Sequence, residues 1–231
     1  MNLALIGYGK MGRMLDRLAP EYGFTTSLIL DINNNAAGEG FTHSNFKDIA
    51  AAIEFTTPDV ASANLVRLAE LAVPTVSGTT GWYVHLDEVK ACFDKNHTGF
   101  IYSPNFSIGM NVFQRAVVEA ARLFAAQDDY EAWAWEIHHS AKKDAPSGTL
   151  LKLVDDMRNS GYKRRVDVSS NRAGAIPGTH EIGFDSVADT ITLRHTARSR
   201  EGFARGALWA ARWLASGHKG CHEFAQVLFR Q

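Results

Sequence analysis

Residues 3–12 read Leu-Ala-Leu-Ile-Gly-Tyr-Gly-Lys-Met-Gly, and this stretch decides the fold. Its apolar first part is typical of a buried parallel strand. Gly7 then permits a tight turn, Gly9 lets the backbone approach a pyrophosphate, and Gly12 lets a helix pack closely on the strand. A helix that begins here offers free N–H groups and a partial positive charge to phosphates. The stretch predicts a dinucleotide-binding unit, and a plain glycine turn is the alternative.

A second apolar run, residues 26–30, ends at Asp31. A carboxylate at this position accepts hydrogen bonds from the ribose hydroxyls of an adenosine and repels a 2′-phosphate. Neither Ile32 nor Asn33 supplies an arginine for such a phosphate. The sequence therefore favours NADH over NADPH. NADPH stays the alternative, because Lys10 and Arg13, in and just after the glycine turn, are basic residues that suit a phosphate.

Strands and helices alternate through the first half of the chain and then give way to consecutive strands. We predict early strands at 52–55, 74–77 and 99–102, with helices at 60–71 and 86–93. After Pro104 we predict a helix from Ile108, a strand at 130–139, a helix capped by Ser147, and strands at 164–168, 180–184 and 190–196. Alternation is typical of a parallel sheet covered on both faces, whereas consecutive strands indicate a mixed or antiparallel sheet.

The predicted fold class is therefore α/β, a Rossmann-type doubly wound parallel sheet with an inserted α+β substrate domain that carries a mixed or antiparallel sheet. Residues 1–106 form the predicted dinucleotide-binding domain, and residues 107–201 form a substrate-binding and oligomerisation domain. Residues 202–231 are predicted as C-terminal helices that return to the first domain.

Composition excludes several classes of protein. The formal net charge is −1, from 24 basic and 25 acidic side chains, so we expect no nucleic-acid partner. Cys92 and Cys221 are the only cysteines, which disfavours a disulfide framework and indicates a reducing compartment. The opening residues lack the features of a signal peptide, and no stretch is apolar for long enough to span a bilayer. We expect a cytoplasmic protein with no membrane partner.

The densest chemistry lies at residues 136–149, Glu-Ile-His-His-Ser-Ala-Lys-Lys-Asp-Ala-Pro-Ser-Gly-Thr. His138 titrates near neutrality and is suited to supply a proton, while Lys142 can stabilise negative charge on a substrate. Ser147 begins a helix whose N–H groups and hydroxyls, with those of the next two residues, suit a carboxylate; a simple N-cap is the alternative. The histidines are alternatively core residues or a metal pair. We predict no metal, since neighbours on a strand diverge and no spaced carboxylate completes a set.

Two threonine-rich turns, at 55–58 and 78–81, each follow a predicted parallel strand. Ligands bind outside the carboxyl ends of such strands, so these turns suit the nicotinamide end of a dinucleotide. Ordinary turn chemistry favours the same residues, and the sequence leaves both interpretations open.

These motifs resemble the dihydrodipicolinate reductase (4-hydroxy-tetrahydrodipicolinate reductase) family. The resemblance is carried by Glu136-x-His138-His139-x-x-Lys142-x-Asp144-Ala145-Pro146-Ser147-Gly148-Thr149, with support from the glycine loop, Phe55-Thr56-x-Pro58, Gly78-Thr79-Thr80-Gly81 and Asn105-Phe106-Ser107-x-Gly109-x-Asn111. It implies NAD(P)H-dependent reduction of 4-hydroxy-tetrahydrodipicolinate, with loss of water, in lysine and diaminopimelate biosynthesis. It also implies a homotetramer assembled through the substrate-domain sheet.

The resemblance also implies roles for individual residues. His138 is similar to the family's proton donor and Lys142 to its catalytic partner. The residues similar to binders of the small dicarboxylate substrate are His139, Ser147, Gly148 and Thr149. Those similar to cofactor-binding residues are Gly7, Gly9, Lys10, Met11, Gly12, Asp31, Gly78, Thr80, Ser103, Asn105 and Phe106.

The chain departs from the family pattern in three places. The glycine loop is one residue tighter than the common form, Ser140 stands where many members carry arginine, and a hairpin is missing near 175–182. Arg200 lies roughly where the family has an arginine near the substrate. Two other functions fit the first domain: another two-domain amino-acid-pathway dehydrogenase, and a non-enzymatic dinucleotide-binding regulator.

Overall fold

The computed structural model describes residues 1–230. Its strands are β1 (Asn2–Ile6), β2 (Thr25–Leu30), β3 (Ile49–Glu54), β4 (Thr75–Ser77), β5 (Gly99–Tyr102), β6 (Glu131–His138), β7 (Val166–Arg172), β8 (Thr179–Asp185), β9 (Thr190–Thr196) and β10 (Gly220–Glu223). Its helices are α1 (Lys10–Leu18), α2 (His43–Phe46), α3 (Pro58–Glu70), α4 (Leu86–Lys95), α5 (Ile108–Phe124), α6 (Gly148–Asn159), α7 (Glu201–Ala215) and α8 (Phe224–Leu228). They form two compact units, Gly109–Arg200 and the rest of the chain.

The first unit contains a parallel six-stranded sheet in the order β10-β5-β4-β3-β1-β2. Alternate residues of β1 enter different cores: Leu3 and Leu5 pack in one, Ala4 and Ile6 in the other. Side chains of a strand alternate between faces, so the sheet is buried on both sides. The predicted doubly wound parallel sheet is confirmed.

Two elements of this unit were not predicted. The helix α2 is short, and its N-cap Thr42 accepts a hydrogen bond from the backbone N–H of Asn45. Strand β10 lies where we predicted only helices, and it pairs with β5 in parallel. Its sequence, Gly-Cys-His-Glu, has no apolar alternation, and all four residues are half-buried at the edge of the sheet. The segment after Glu201 therefore adds a strand as well as two helices to this unit.

The second unit contains a mixed sheet in the order β7-β6-β8-β9, with β6 parallel to β7 and antiparallel to β8. Its buried face packs on helices α5 and α6 through a core that includes Val117, Leu153 and Ile182. Strand β7 begins later than predicted, because the Arg164 guanidinium donates to the carbonyls of Phe124 and Gln127 at 2.6 and 2.9 Å instead of entering the sheet. The inserted domain with a mixed sheet is confirmed.

The roles assigned to the three predicted segments stay predictions, as does the cytoplasmic location. No helix among residues 1–230 combines the length and apolar character that a bilayer crossing requires.

Candidate functional site

A cavity of about 430 Å³ lies in the first unit, at the carboxyl ends of its parallel strands. Its lining brings together the glycine turn and both threonine-rich turns: Gly9, Lys10, Met11, Phe55, Thr56, Pro58, Gly78, Thr79 and Thr80. Of the predicted cofactor residues within the described part of the chain, six do not line it: Gly7, Gly12, Asp31, Ser103, Asn105 and Phe106. The position of the cavity agrees with the rule that ligands bind outside the carboxyl ends of parallel strands.

The glycines of the turn fit a dinucleotide for distinct steric reasons. A Cβ at Gly12 would lie 2.2 Å from the carbonyl oxygen of Gly7, so helix and turn pack as closely as the motif requires. Gly7 has φ +91°, and a Cβ there would lie 2.1 Å from the carbonyl oxygen of Phe55. At Gly9 nothing lies within 4 Å of the added atom, which leaves the start of α1 open to a phosphate.

Asp31 is bound to the same turn. Its Oδ2 accepts a hydrogen bond from the Tyr8 backbone N–H at 2.7 Å, and its Oδ1 accepts one from the Asn33 side chain at 3.0 Å. Each carboxylate oxygen has a second lone pair, so Asp31 keeps capacity for a ribose hydroxyl. The structure places Asp31 beside the glycine turn and leaves its ribose contact a prediction.

The loop after β5, which holds the last three predicted cofactor residues, is fixed by hydrogen bonds among its own residues. Ser103 and Asn105 hydrogen-bond to each other, and the Asn105 side chain accepts from the Ser107 N–H at 2.9 Å. Phe106 is 1% exposed, and its ring packs against Phe55 and Phe224. The Phe106 side chain therefore belongs to the core, and a contact of Phe106 with a cofactor stays a prediction.

In the second unit, Glu136 lies at the centre of a buried polar cluster. It is 0% exposed, and it accepts hydrogen bonds from the Ser147 N–H at 2.7 Å, from the Ser147 hydroxyl, and from the Arg172 guanidinium at 3.0 Å. His138 Nδ1 and His180 Nε2 lie 3.4 and 3.5 Å from its Oε2. Burial opposes ionisation of Glu136, but the bonds from Ser147 and Arg172 outweigh it and lower the pKa. Glu136 is thus an anion between two imidazoles.

The sheet register explains how this cluster forms. Glu136 on β6 stands opposite His180 on β8, and His138 stands opposite Arg172 on β7. Sequence reasoning quoted Glu136 only as part of a motif and assigned no role to His180 or Arg172. Both are distant from Glu136 along the chain. The sequence carried one signal for them: His180 is a polar residue that begins the predicted strand 180–184, and Arg172 follows the predicted strand 164–168.

The two imidazoles have lowered pKa values. Burial lowers the pKa of His138, and Lys142 and Arg172 lower it further, while Glu136 opposes the shift. Burial and the neighbouring His138 lower the pKa of His180 to about 4. His180 is therefore neutral at pH 7, and His138 is the one of the two that exchanges a proton closer to neutrality.

Glycine 178 makes room for the His138 ring. Its φ is +151°, and a Cβ there would lie 2.8 Å from Nε2 of His138. The His138 ring thus lies beside Glu136 and occupies space that a side chain at position 178 would need.

Lys142 is held at the start of the adjoining loop. Its ammonium donates to both oxygens of Asp144 at 2.7 and 3.0 Å, which lowers the pKa of that carboxyl. Asp144 also accepts from the Gly148 N–H at 3.3 Å, so the lysine and the start of α6 are connected. An ammonium has three donors, and one remains for an anion. The structure brings Lys142 close enough to His138 to affect its pKa.

Ser147 does not suit the role predicted for it. It is 1% exposed, both its donors point to Glu136, and its hydroxyl accepts the Leu150 N–H at 3.2 Å as the N-cap of α6. Its donors are therefore occupied inside the protein. Gly148 is exposed and Thr149 and His139 are half-buried, so these three are accessible to a substrate carboxylate.

Glu136, His138 and His180 also place one possible metal ligand each within 4.8 Å of one another. The statement that no spaced carboxylate completes a set is therefore wrong. However, the carboxylate already accepts three hydrogen bonds, and a guanidinium 3.0 Å away opposes a second cation. That the protein holds no metal stays a prediction.

Comparison with known proteins matches both units. Residues 1–106 match the family model described as dihydrodipicolinate reductase, N-terminus, and residues 109–228 match the one described as dihydrodipicolinate reductase, C-terminus. A 4-hydroxy-tetrahydrodipicolinate reductase of Christiangramia forsetii is 34% identical, over 93% of this chain and 92% of its own. One of Staphylococcus carnosus is 35% identical, over 98% and 99%.

Solved structures show the same fold. A dipicolinate-bound dihydrodipicolinate reductase from Paenisporosarcina sp. TG-14 superposes with a TM-score of 0.75 at 21% identity, over 96% of this chain and 97% of that one. A probable dehydrogenase from Thermotoga maritima gives a TM-score of 0.61 at 10% identity, over 99% and 93%. With both family models matched and two relatives above 30% identity over most of their length, this chain belongs to the dihydrodipicolinate reductase family.

Proposed function

We propose that this protein reduces 4-hydroxy-tetrahydrodipicolinate to tetrahydrodipicolinate in lysine and diaminopimelate biosynthesis. One hydride and one proton enter the substrate, and one water leaves. The observation that carries the proposal is the buried His138, held beside the Glu136 carboxylate in a member of this reductase family. Family membership favours this function over an amino-acid dehydrogenase or a non-enzymatic regulator.

The first unit serves the nucleotide. As a family member with a Rossmann-type domain, the enzyme uses NAD(P)H, which supplies the hydride when bound. We propose that the N–H groups at the start of α1, with Gly7, Gly9, Lys10, Met11 and Gly12, bind the pyrophosphate. The turn that holds Gly78 and Thr80 then faces the nicotinamide side, since it lines the same cavity. Ser103 and Asn105 stay proposed cofactor residues through the loop after β5.

We also propose a preference for NADH. Asp31 lies beside the glycine turn through its bond to the Tyr8 N–H, and a carboxylate there repels a 2′-phosphate. Turnover with equal concentrations of the two nucleotides checks this; a tenfold preference for NADPH would contradict it.

The second unit supplies the proton and binds the dicarboxylate. His138 donates the proton, and Glu136 stabilises its charged form across 3.4 Å. Lys142 stabilises negative charge on the substrate through its remaining donor. The substrate carboxylates bind His139 and the N–H groups of Gly148 and Thr149 at the start of α6, where the helix dipole favours an anion. A substrate oxygen there replaces Asp144, which accepts from the Gly148 N–H at 3.3 Å.

The experiment couples enzymatic synthesis of the unstable substrate to this protein and follows nucleotide absorbance. We expect the wild type to oxidise the nucleotide only when substrate is supplied. The variants His138→Ala and Lys142→Ala should lower kcat by roughly 10²–10⁴ while nucleotide affinity stays nearly unchanged, because both residues lie in the other unit. Wild-type turnover in either variant would remove its assigned role.

We further propose that the chain assembles as a homotetramer through the open face of its second sheet. Trp133 and Trp135 are half-buried on that face. Half-exposed aromatic residues are enriched where proteins associate. Sedimentation velocity checks the proposal, and a monomer at micromolar concentration would overturn it.

A further inference from the structure

A second buried carboxylate, Glu54, lies beside the nucleotide cavity and has no part in the proposed reaction. It is the last residue of β3, in a strand that otherwise reads Ile-Ala-Ala-Ala-Ile, and it is 0% exposed. An ionised carboxylate taken out of water costs several kcal/mol unless it is paired or hydrogen-bonded. The hydrogen-bond partners of Glu54 must therefore offset the cost of its burial.

All the described hydrogen-bond partners of this carboxylate lie at the ends of β3 and β4. Oε1 accepts from the Thr56 N–H at 2.9 Å, from the Thr56 hydroxyl, and from the Thr79 hydroxyl at 2.8 Å. Oε2 accepts from the Ser77 hydroxyl at 2.6 Å. The Thr79 hydroxyl also accepts from the Thr56 N–H at 2.8 Å, which closes a ring between the two turns.

These partners are the residues that shape the cavity. Thr56 and Thr79 both line it, as do Phe55 and Gly78, the residues that precede them in the chain. A Cβ at Gly78 would lie 2.0 Å from the Phe55 ring, so the two turns are packed without spare room. The Trp82 indole adds a bond to the Thr79 carbonyl at 2.8 Å. A small displacement of either turn would therefore change the cavity.

We propose that Glu54 is a positioning residue for the nucleotide, because its carboxylate fastens the turns 55–58 and 78–81 to each other in the shape that receives the nicotinamide end. The proposal rests on the proposed function for the use of a nucleotide. Glu54 does not touch the ligand; it acts through Thr56, Ser77 and Thr79. Burial raises the pKa of Glu54, and the three hydroxyl groups only partly oppose the shift, as expected for a carboxylate that has no cation beside it among these partners.

The test measures NADH binding by calorimetry, without substrate, for the wild type and three variants. Glu54→Ala removes every bond of the ring to the carboxylate and should weaken binding about tenfold or more. Glu54→Gln keeps the shape and the acceptor at Oε1, and it should bind within about threefold of the wild type. Thr75→Val is the matched control: Thr75 is buried in the same sheet and bonds to the Val73 carbonyl at 2.8 Å, but it does not line the cavity.

A second readout needs no ligand. Amide hydrogen exchange of residues 78–81 should be faster in Glu54→Ala than in the wild type, and unchanged in Thr75→Val. Should Glu54→Ala fail to fold, Thr79→Val removes the ring's second member with little change in shape and should also weaken NADH binding several-fold.

The outcomes separate the two proposals. A wild type that binds no nicotinamide nucleotide overturns the proposed function and, with it, the role of Glu54. A wild type that binds NADH together with a Glu54→Ala variant of equal affinity overturns the role of Glu54 alone. Equal weakening in Glu54→Ala and Thr75→Val also overturns it, since a general loss of stability would then be the cause.

Discussion

Two glutamates, Glu54 in the first unit and Glu136 in the second, are both 0% exposed and both lie at or near the carboxyl end of a strand. Their partners differ. Glu54 accepts from hydroxyl groups and one amide, whereas Glu136 accepts also from a guanidinium and lies between two imidazoles. Accordingly the pKa is raised for Glu54 and lowered for Glu136.

The difference shows that burial alone does not decide what a carboxylate does. At Glu54 the hydrogen bonds hold two turns together, and the charge has no cationic partner among them. At Glu136 the charge itself matters, because it stabilises the protonated form of the neighbouring imidazole. One carboxylate thus joins two turns that line a cavity, and the other stabilises the charged form of the proposed proton donor.

The largest expected effect is that of Glu136→Ala. It leaves the Arg172 guanidinium, which is 17% exposed, without its carboxylate partner, and such a loss from a buried ion pair costs about 3–5 kcal/mol. We expect the free energy of unfolding, measured in urea, to fall by that amount and kcat to fall at least about 100-fold.

A matched control for this variant is Glu181→Ala. Glu181 pairs with Arg194 at 3.2 Å on the same sheet, but that arginine is 56% exposed. Such pairs contribute about 0–1 kcal/mol. Equal destabilisation by the two variants would mean that the Glu136–Arg172 pair contributes no more to the free energy of unfolding than the Glu181–Arg194 pair.

A smaller effect is expected from a substitution of Gly178, which lies beside the Glu136 cluster. Gly178→Ala places a Cβ 2.8 Å from His138 Nε2 and should lower kcat by about 10–100-fold with little change in NADH affinity. Gly174→Ala is the control, since it has φ +53° in the same unit but nothing within 4 Å of the added Cβ. Steady-state kinetics separate the two; a Gly178→Ala enzyme with wild-type kcat would show that the His138 position is not critical.

Much of this could be predicted from the sequence, because local patterns carry it. The apolar run at 3–12 and the alternating strands and helices after it predict the doubly wound sheet. The histidine–lysine segment predicts the region of the proposed proton donor, and His138 does lie in a buried polar cluster. What the sequence could not supply depends on pairing between distant strands. His180 reaches Glu136 only through the register of β6 and β8.

Other differences have local physical causes. Ser147 suited a carboxylate site by its position at the start of a helix, but the structure satisfies its donors with Glu136. Strand β10 has no apolar periodicity and forms because β5 offers a free edge. Glu54 is visible in the sequence as a charge at the end of an apolar strand, but its partners are Ser77 on β4 and Thr56 and Thr79 in the turns that follow β3 and β4.

The pH dependence of kcat in the wild type and in Glu136→Gln tests whether the Glu136 charge stabilises the protonated form of His138. As the proposed proton donor, His138 must be protonated, so kcat is expected to fall as the pH rises through its pKa. Removing the Glu136 charge lowers that pKa, so the fall should move to lower pH by about one unit or more in Glu136→Gln and stay in place in Glu54→Gln. An unmoved profile in Glu136→Gln, with kcat otherwise measurable, would contradict the account.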